Sequence, residues 1–148
     1  PTISSHFPFS PVPPYQPDWQ RALTAAPFEA QELQDALTQP IDWFDMRRHY
    51  VDSVNYVYRW LGGYFGLPEA RETVYVLLGD HQPTANITGE GAPWDVPVHI
   101  ISRDPALLDR FRAQGFSNGL WPERRVLGEL HHLTSLLLTA FGPASAQP

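Results

Sequence analysis

Apolar residues occur along the chain in two patterns, which predict short strands and amphipathic helices. Val74–Leu78 is apolar at every position, as in a strand that is buried on both faces within a parallel sheet. Val96–Ser102 is a second predicted strand, and Asp104 with Pro105 makes a typical helix start, since Asp caps well and Pro suits the first turn. A helix over residues 105–114 is then expected to pack beside the strands. This order predicts an α/β fold in which the two strands are parallel and adjacent.

The strongest helical pattern begins near Asp42 and ends around Gly66. Asp42 is the predicted N-cap, and Asp45, three residues later, takes the place of the acidic residue in a capping box. Apolar residues then recur at spacings of three and four, which predicts that they form the face buried in the core. These residues are Val51, Val54, Tyr58, Leu61 and Phe65.

Weaker patterns predict the elements at both ends of the chain. A short strand at Ile3–Ser5 should be followed by an extended surface segment within residues 1–20, because the many Pro residues there suit neither a helix nor a sheet interior. One helix is predicted over residues 28–37, and a last helix is predicted to open at Pro122. The tail, residues 142–148, is expected to fray. The apolar face predicted for the last helix consists of Val126, Leu130, Leu133, Leu137 and Phe141.

The composition limits the classes of protein and partner. The 148 residues suit one domain with a real core, and we expect them to be the carboxyl-terminal fragment of a larger protein, because they start abruptly and without Met. The formal net charge of −6 argues against a nucleic-acid partner, which would need basic patches. The sequence lacks a run of about 18 apolar residues, so this chain is not expected to span a membrane. Zero Cys excludes disulfides and thiolate metal sites.

Two metal-capable side chains, Asp80 and His81, follow the first predicted strand as soon as it stops at Gly79. Ligands in open α/β sheets gather beyond the carboxyl ends of strands, and an adjacent carboxylate and imidazole can reach one divalent cation. The alternative is a loop Asp that caps a turn beside a solvated His. His6 follows the strand Ile3–Ser5 in the same way, although a lone His is most often a surface residue. If both strands belong to one parallel sheet, His6 and His81 should lie roughly 5–12 Å apart, one or two strand spacings.

Three segments, in this order, resemble the alkaline phosphatase/sulfatase superfamily, and most of all the carboxyl-terminal part of bacterial membrane-anchored sulfatase-like and phosphoglycerol-transferase-like proteins. The first is S-S-H-F-P-F at Ser4–Phe9, the second is the helix Tyr50–Leu61, and the third is G-D-H at Gly79–His81. The helix match is partial, because Arg59 stands near the place of a family Asp. The resemblance, which runs from about Ile3 to Leu120, implies a partial three-layer α/β/α fold with a mainly parallel sheet.

The resemblance also implies a function. Asp80 and His81 would be ligands of a catalytic divalent metal, and His6 would face the substrate. A His ligand makes Mn²⁺ or Zn²⁺ a better expectation than Ca²⁺ or Mg²⁺. The parent would be a phosphoester or sulfoester hydrolase, or a phosphotransferase, acting on an ester carried by a lipid or a glycan. It would be anchored in the inner membrane with this region in the periplasm, and the missing part would supply the nucleophile and the membrane contact, leaving a soluble, inactive fragment.

Two other interpretations stay open. In one, catalysis has been lost and the fold is a binding module at the membrane surface that holds a glycan or a lipid headgroup. In the other, the chain is a structural protein, and the G-D-H and S-H-F-P-F matches are coincidental. An upstream nucleophile with further metal ligands would favour the enzyme, and their absence would favour the module.

Overall fold

A computed structural model describes residues 6–121, 123 and 125–143. The predicted strand Ile3–Ser5 and the predicted helix start at Pro122 lie outside the described residues. The chain divides into two compact units: unit 1 is Pro1–Ala70 with Pro83–Ala92, and unit 2 is Arg71–Gln82 with Pro93–Pro148. In chain order the elements are α1 (Trp19–Ala22), α2 (Ala30–Leu37), α3 (Met46–Phe65), β1 (Tyr75–Leu78), α4 (Ala85–Thr88), β2 (Val98–Ile101), α5 (Pro105–Ala113) and α6 (Leu133–Phe141).

In unit 1, the buried positions of α3 agree only in part with the predicted ones. Val51 and Tyr58, assigned to the core from the sequence, are 52% and 59% exposed. The prediction of the buried face was wrong at these two positions, whereas Val54, Leu61 and Phe65 are half-buried. Met46 and Ser53 are buried, and Tyr50, Val57 and Tyr64 are half-buried as well.

Aromatic side chains from the segment before α3 determine which face is covered. The rings of Phe9 and Tyr50 lie 5.2 Å apart, and those of Trp19 and Trp60 lie 5.1 Å apart, both edge to face. Such pairs stabilise a fold beyond the area that they bury. Burial, and then the neighbouring Tyr15, raise the pKa of the Tyr56 hydroxyl on the same helix.

The Pro-rich segment of unit 1 contains no helix or strand over residues 9–18, as predicted, but much of it is half-buried and does not simply lie on the surface. Phe9 is 5% exposed and has a φ of 62°, after a turn in which its N–H donates to the carbonyl of His6. Farther along, the Tyr15 ring lies under the Arg59 guanidinium, 4.4 Å from its centre. The segment is therefore packed onto α3.

The N-cap of α3 is Asp45, not Asp42. Its carboxylate accepts a hydrogen bond from the Arg47 N–H at 3.1 Å. Asp42 instead accepts from the N–H groups of Phe44 and Asp45, closing a turn before the helix. The sequence placed the cap three residues too early because both Asp residues carry the same capping signal.

In unit 2, the strands β1 and β2 are antiparallel, and the register pairs Tyr75 with Ile101 and Leu78 with Val98. The predicted parallel pair is therefore wrong, and so is the three-layer α/β/α architecture with a mainly parallel sheet, because the described residues form a sheet of two strands only. Parallel neighbours need a crossover, usually a helix, between them. Between β1 and β2 the chain has only the four-residue helix α4, and it enters β2 at the end at which it left β1.

Beside the strands, α5 and α6 enclose the core of unit 2. Leu107, Phe111 and Ala140 are buried, and Ile100 and Leu137 pack against them. The predicted start of α5 is confirmed, because the Asp104 carboxylate accepts from the Ala106 N–H at 2.9 Å. The last α-helix begins only at Leu133, after a 3₁₀ turn at Leu130–His132, so Val126 lies outside it and is 60% exposed.

Neither strand is buried on both faces, since all eight residues of β1 and β2 are partly exposed and Leu78 is 45% exposed. Over the part of the chain that the structure describes, no helix has both the length and the apolar character needed to cross a bilayer.

Candidate functional site

The loop Gly79–Gln82 leaves β1 directly and is held close to the segment that enters β2. The Gly79 N–H donates to the Pro97 carbonyl at 3.3 Å, which continues the antiparallel ladder by one pair. A Cβ at this position would come within 3.3 Å of the Val96 side chain. A glycine therefore lets the two chain segments approach at the point where the strand gives way to the loop.

Asp80 and His81 stand next to each other on this loop, with side chains 90% and 73% exposed. One Asp80 oxygen, Oδ1, accepts from the His81 N–H at 3.0 Å. The His81 Nδ1 lies 2.8 Å from the Gln82 carbonyl. A carbonyl can only accept, so in the neutral ring this contact favours the tautomer with the proton on Nδ1, which leaves the Nε2 lone pair for a ligand.

The two remaining ligand atoms, Asp80 Oδ2 and His81 Nε2, are 3.8 Å apart. Two atoms bound to one Zn²⁺ or Mn²⁺ at about 2.1 Å, with angles between 90° and 109°, would be about 3.0–3.4 Å apart. At 3.8 Å, Asp80 Oδ2 and His81 Nε2 lie farther apart than this, so the two atoms would have to move closer together to bind one cation. The donor set, one carboxylate oxygen and one imidazole nitrogen, suits Zn²⁺ or Mn²⁺ better than the all-oxygen shell that Ca²⁺ prefers.

The pair does not complete a metal site within the structure. Among residues 6–121, 123 and 125–143, no group of three or more His, Cys, Asp or Glu side chains could hold a metal ion. Structural and catalytic zinc sites use three or four protein ligands. Asp80 and His81 can thus contribute two ligands, and a tight site needs further donors.

Gln82 is a residue of this site that sequence reasoning missed. The Gln82 side-chain amide donates to the backbone carbonyl of Asp95, and the backbone carbonyl of Gln82 accepts from the His81 ring. The residue therefore connects the loop to the chain ahead of β2 and fixes the His81 ring at the same time. Groups that orient a metal-bound imidazole in this way tune its affinity for the ion.

His6 lies in unit 1, whereas Asp80 and His81 lie in unit 2. Its ring is exposed, and Nδ1 is 3.2 Å from the Phe7 carbonyl. The expected distance of roughly 5–12 Å between His6 and His81 relied on strands that run parallel in one sheet. Because β1 pairs antiparallel with β2, that reasoning no longer supports the distance, and the shared site stays a prediction.

The connection between the two strands runs from Gly79 to Pro97. Its middle part, Pro83–Ala92, belongs to unit 1 and contains α4, so the connection is not irregular throughout. Trp94, near the end of this connection, is 82% exposed and does not fill the core.

Another acid–imidazole pair gives a useful comparison within unit 2. Glu129 Oε2 lies 3.2 Å from His131 Nδ1, and both side chains are exposed. This pair lies at a 3₁₀ turn and not after a strand.

Comparisons with protein-family models, with curated proteins and with solved structures were made for the whole chain. None of the three finds a match. The case for a function therefore depends on the residues themselves.

Proposed function

We propose that Asp80 and His81 supply two ligands to the divalent metal of a phosphoester or sulfoester hydrolase, or of a phosphotransferase. The observation that carries the proposal is the separation of 3.8 Å between Asp80 Oδ2 and His81 Nε2, with His81 Nδ1 held by a backbone carbonyl. The order of G-D-H after S-H-F-P-F, which resembles the alkaline phosphatase/sulfatase superfamily, supports the choice of reaction. The support is local, because the fold of unit 2 is not the one that the resemblance implied.

Each residue has a defined task in this proposal. Asp80 provides a negatively charged oxygen and His81 provides the Nε2 lone pair, while the Gln82 carbonyl holds the ring in the tautomer that leaves Nε2 free. His6 donates a hydrogen bond to the ester or to its leaving group. When bound, a divalent metal polarises such an ester and lowers the pKa of the attacking hydroxyl. The nucleophile and the remaining ligands come from another part of the enzyme.

The proposal extends to substrate, metal and location. The substrate is a phosphate or sulfate ester carried by a lipid or a glycan, and the ion is Mn²⁺ or Zn²⁺. Following the same resemblance, we place the enzyme at the inner membrane with this region on the periplasmic side.

Binding of Mn²⁺ to the 148-residue chain tests the ligand pair directly. Paramagnetic Mn²⁺ broadens the amide signals of nearby residues, so substoichiometric addition should broaden those of Gly79–Gln82 first. His81→Ala should abolish this broadening. His131→Ala removes a similarly exposed imidazole beside a carboxylate and should leave it unchanged. Broadening that centres on Glu129 and His131, or that survives His81→Ala, would contradict the proposal.

Gln82 can be tested with a matched glutamine. Gln82→Ala keeps the backbone carbonyl that contacts His81 Nδ1 but removes the side-chain amide that connects the loop to Asp95, so it should weaken Mn²⁺ binding by up to roughly tenfold through a less rigid loop. Gln114 also donates its side-chain amide to a distant backbone carbonyl, that of Leu136, so Gln114→Ala is the control and should not change the affinity. Equal effects of the two substitutions would indicate a general loss of structure.

The reaction class requires the catalytic part as well. With only two ligands, the isolated chain should bind metal weakly and should not hydrolyse a chromogenic phosphoester above a metal-free control. In the enzyme that contains this region, Asp80→Asn or His81→Ala should lower both metal content and turnover. Full turnover with normal metal content in those variants would refute the proposed role.

A further inference from the structure

Asn118 and Gly119 lie in an exposed loop that follows α5. The Nε atom of Arg112 donates a hydrogen bond to Asn118 Oδ1 at 2.8 Å. The Arg guanidinium has donors only, so the atom that it contacts is the amide oxygen and not the amide nitrogen. A different guanidinium nitrogen, Nη1, pairs with the Asp109 carboxylate. The side-chain carbonyl of Asn118 is therefore held and polarised by a positively charged donor.

The N–H group that follows this side chain, that of Gly119, is available to react. It donates to no acceptor within residues 6–121, 123 and 125–143. Gly119 has a φ of 93°, a conformation that a glycine adopts without steric cost. Apart from its two neighbours in the chain, none of the described residues comes within 4 Å of the place where a Cβ would stand. The approach to the Gly119 nitrogen is therefore open.

We propose that Asn118 is a site of spontaneous deamidation, with water as the co-reactant. The Gly119 nitrogen attacks Cγ of Asn118, and the new C–N bond closes a cyclic succinimide. The bond from Cγ to the side-chain nitrogen breaks, and this nitrogen leaves as ammonia with the proton that the Gly119 amide loses. Water then opens the ring. Breaking the new C–N bond gives aspartate, and breaking the original peptide bond gives isoaspartate.

Arg112 assists the first step. As the Gly119 nitrogen attacks, negative charge develops on Asn118 Oδ1, which is the atom that accepts from Arg112 Nε. A donor aimed at an oxygen where charge develops lowers the barrier of such a reaction. A hydrogen bond from a charged group corresponds to a rate difference of roughly tenfold or more.

The chain contains two other asparagines, which serve as internal controls. Asn55 lies in α3 before Tyr56, and Asn86 lies in α4 before Ile87. The Ile87 N–H donates to the Thr84 carbonyl at 2.8 Å, and the Tyr56 N–H lies in the interior of a long helix, where the helical bonds use it. Neither nitrogen is available to attack, so we expect conversion at Asn118 alone.

The product differs from asparagine in ways that its neighbours would sense. The new carboxylate adds one negative charge to the formal net charge of −6, and it competes with Asp109 for Arg112. Isoaspartate also adds a carbon atom to the main chain just after α5. The change is irreversible, so a chain that has aged in this way is chemically distinct from a new one.

Incubation of the folded 148-residue chain at neutral pH tests the site. Trypsin then releases residues 113–124, whose one asparagine is Asn118, and chromatography with mass spectrometry separates the asparaginyl, aspartyl and isoaspartyl forms. A synthetic peptide of residues 113–124 is the reference, because it lacks Arg112. Conversion in the folded chain should be roughly tenfold faster than in the peptide. Equal or slower conversion in the folded chain would overturn the proposal.

Two variants test the donor. Arg112→Met removes the hydrogen bond to Asn118 and should slow conversion by roughly tenfold or more. Asp109→Ala is the control, since it removes the exposed ion pair of Arg112 and keeps the donor to Asn118, and it should change the rate little. Equal rates in the two variants would refute the role of Arg112. Circular dichroism identifies a variant that fails to fold, and the comparison of the unaltered chain with the peptide then decides.

Discussion

At the scale of single residues, two neighbouring glycines of α3 have different surroundings. Nothing lies within 4 Å of a Cβ built on Gly62, whereas one on Gly63 would overlap the Tyr15 hydroxyl and come within 3.2 Å of the Trp19 ring. We expect Gly62→Ala to raise the free energy of unfolding by about 0.5–1 kcal/mol through helix propensity. Gly63→Ala should lower it by about 1–3 kcal/mol, because overpacking outweighs the same gain.

Denaturant unfolding of the two variants and the parent chain measures this difference, and each variant serves as the control for the other. A stabilising Gly63→Ala would show that Tyr15 and Trp19 do not pack on α3 in solution.

In the candidate site, the types of ligand residue could be predicted from the sequence better than their contacts. A carboxylate and an imidazole directly after an apolar strand are visible in the sequence at Asp80 and His81. The contribution of Gln82 was not, because its partner is the carbonyl of Asp95, thirteen positions away, and a backbone carbonyl has no sequence signal. Sequence alone also could not show whether His6 lies near Asp80 and His81, because that depends on how distant parts of the chain pack.

At the scale of elements, the cap of α3 gives a testable assignment. Asp45→Ala removes the carboxylate that accepts from the Arg47 N–H, and it should cost about 1 kcal/mol of stability. Asp45→Asn keeps an accepting oxygen and should cost only a few tenths. Thermal unfolding of both variants checks the order. Equal losses would mean that the charge of Asp45, and not its capping bond, stabilises the helix.

Element boundaries and element partners differed in how well they could be predicted. The start of α5 was evident because Asp104 and Pro105 act through local geometry alone. The buried face of α3 was predicted only in part, because aromatic residues surround much of the helix, and partners outside it decide which of them are covered. Strand direction was wrong because a short continuous apolar run such as Val74–Leu78 does not determine whether the strand pairs parallel or antiparallel.

At the scale of the whole molecule, charge gives a prediction independent of the fold. With a net charge of −6, the chain should show no binding to a short labelled DNA duplex or single strand, even at low salt, where phosphate contacts are strongest. Fluorescence anisotropy with a basic protein as positive control measures this. A rise in anisotropy that disappears on adding salt would reveal a local basic surface that net charge hides.

The two-unit division also explains which part of the fold composition could foresee. The length of 148 residues predicts one domain with a real core, whereas the chain divides into two compact units. The return of Pro83–Ala92 to unit 1 could not be foreseen, because that segment carries only a four-residue helix and no long apolar run.

The ring contact between Trp19 and Trp60 has an optical consequence. Indoles 5.1 Å apart couple their electronic transitions, which should give unit 1 a strong, shape-dependent signal in near-ultraviolet circular dichroism. Trp94 and Trp121 in unit 2 are 82% and 90% exposed and should contribute mainly solvent-like emission. Near-ultraviolet circular dichroism of the unlabelled chain should therefore report on the folding of unit 1.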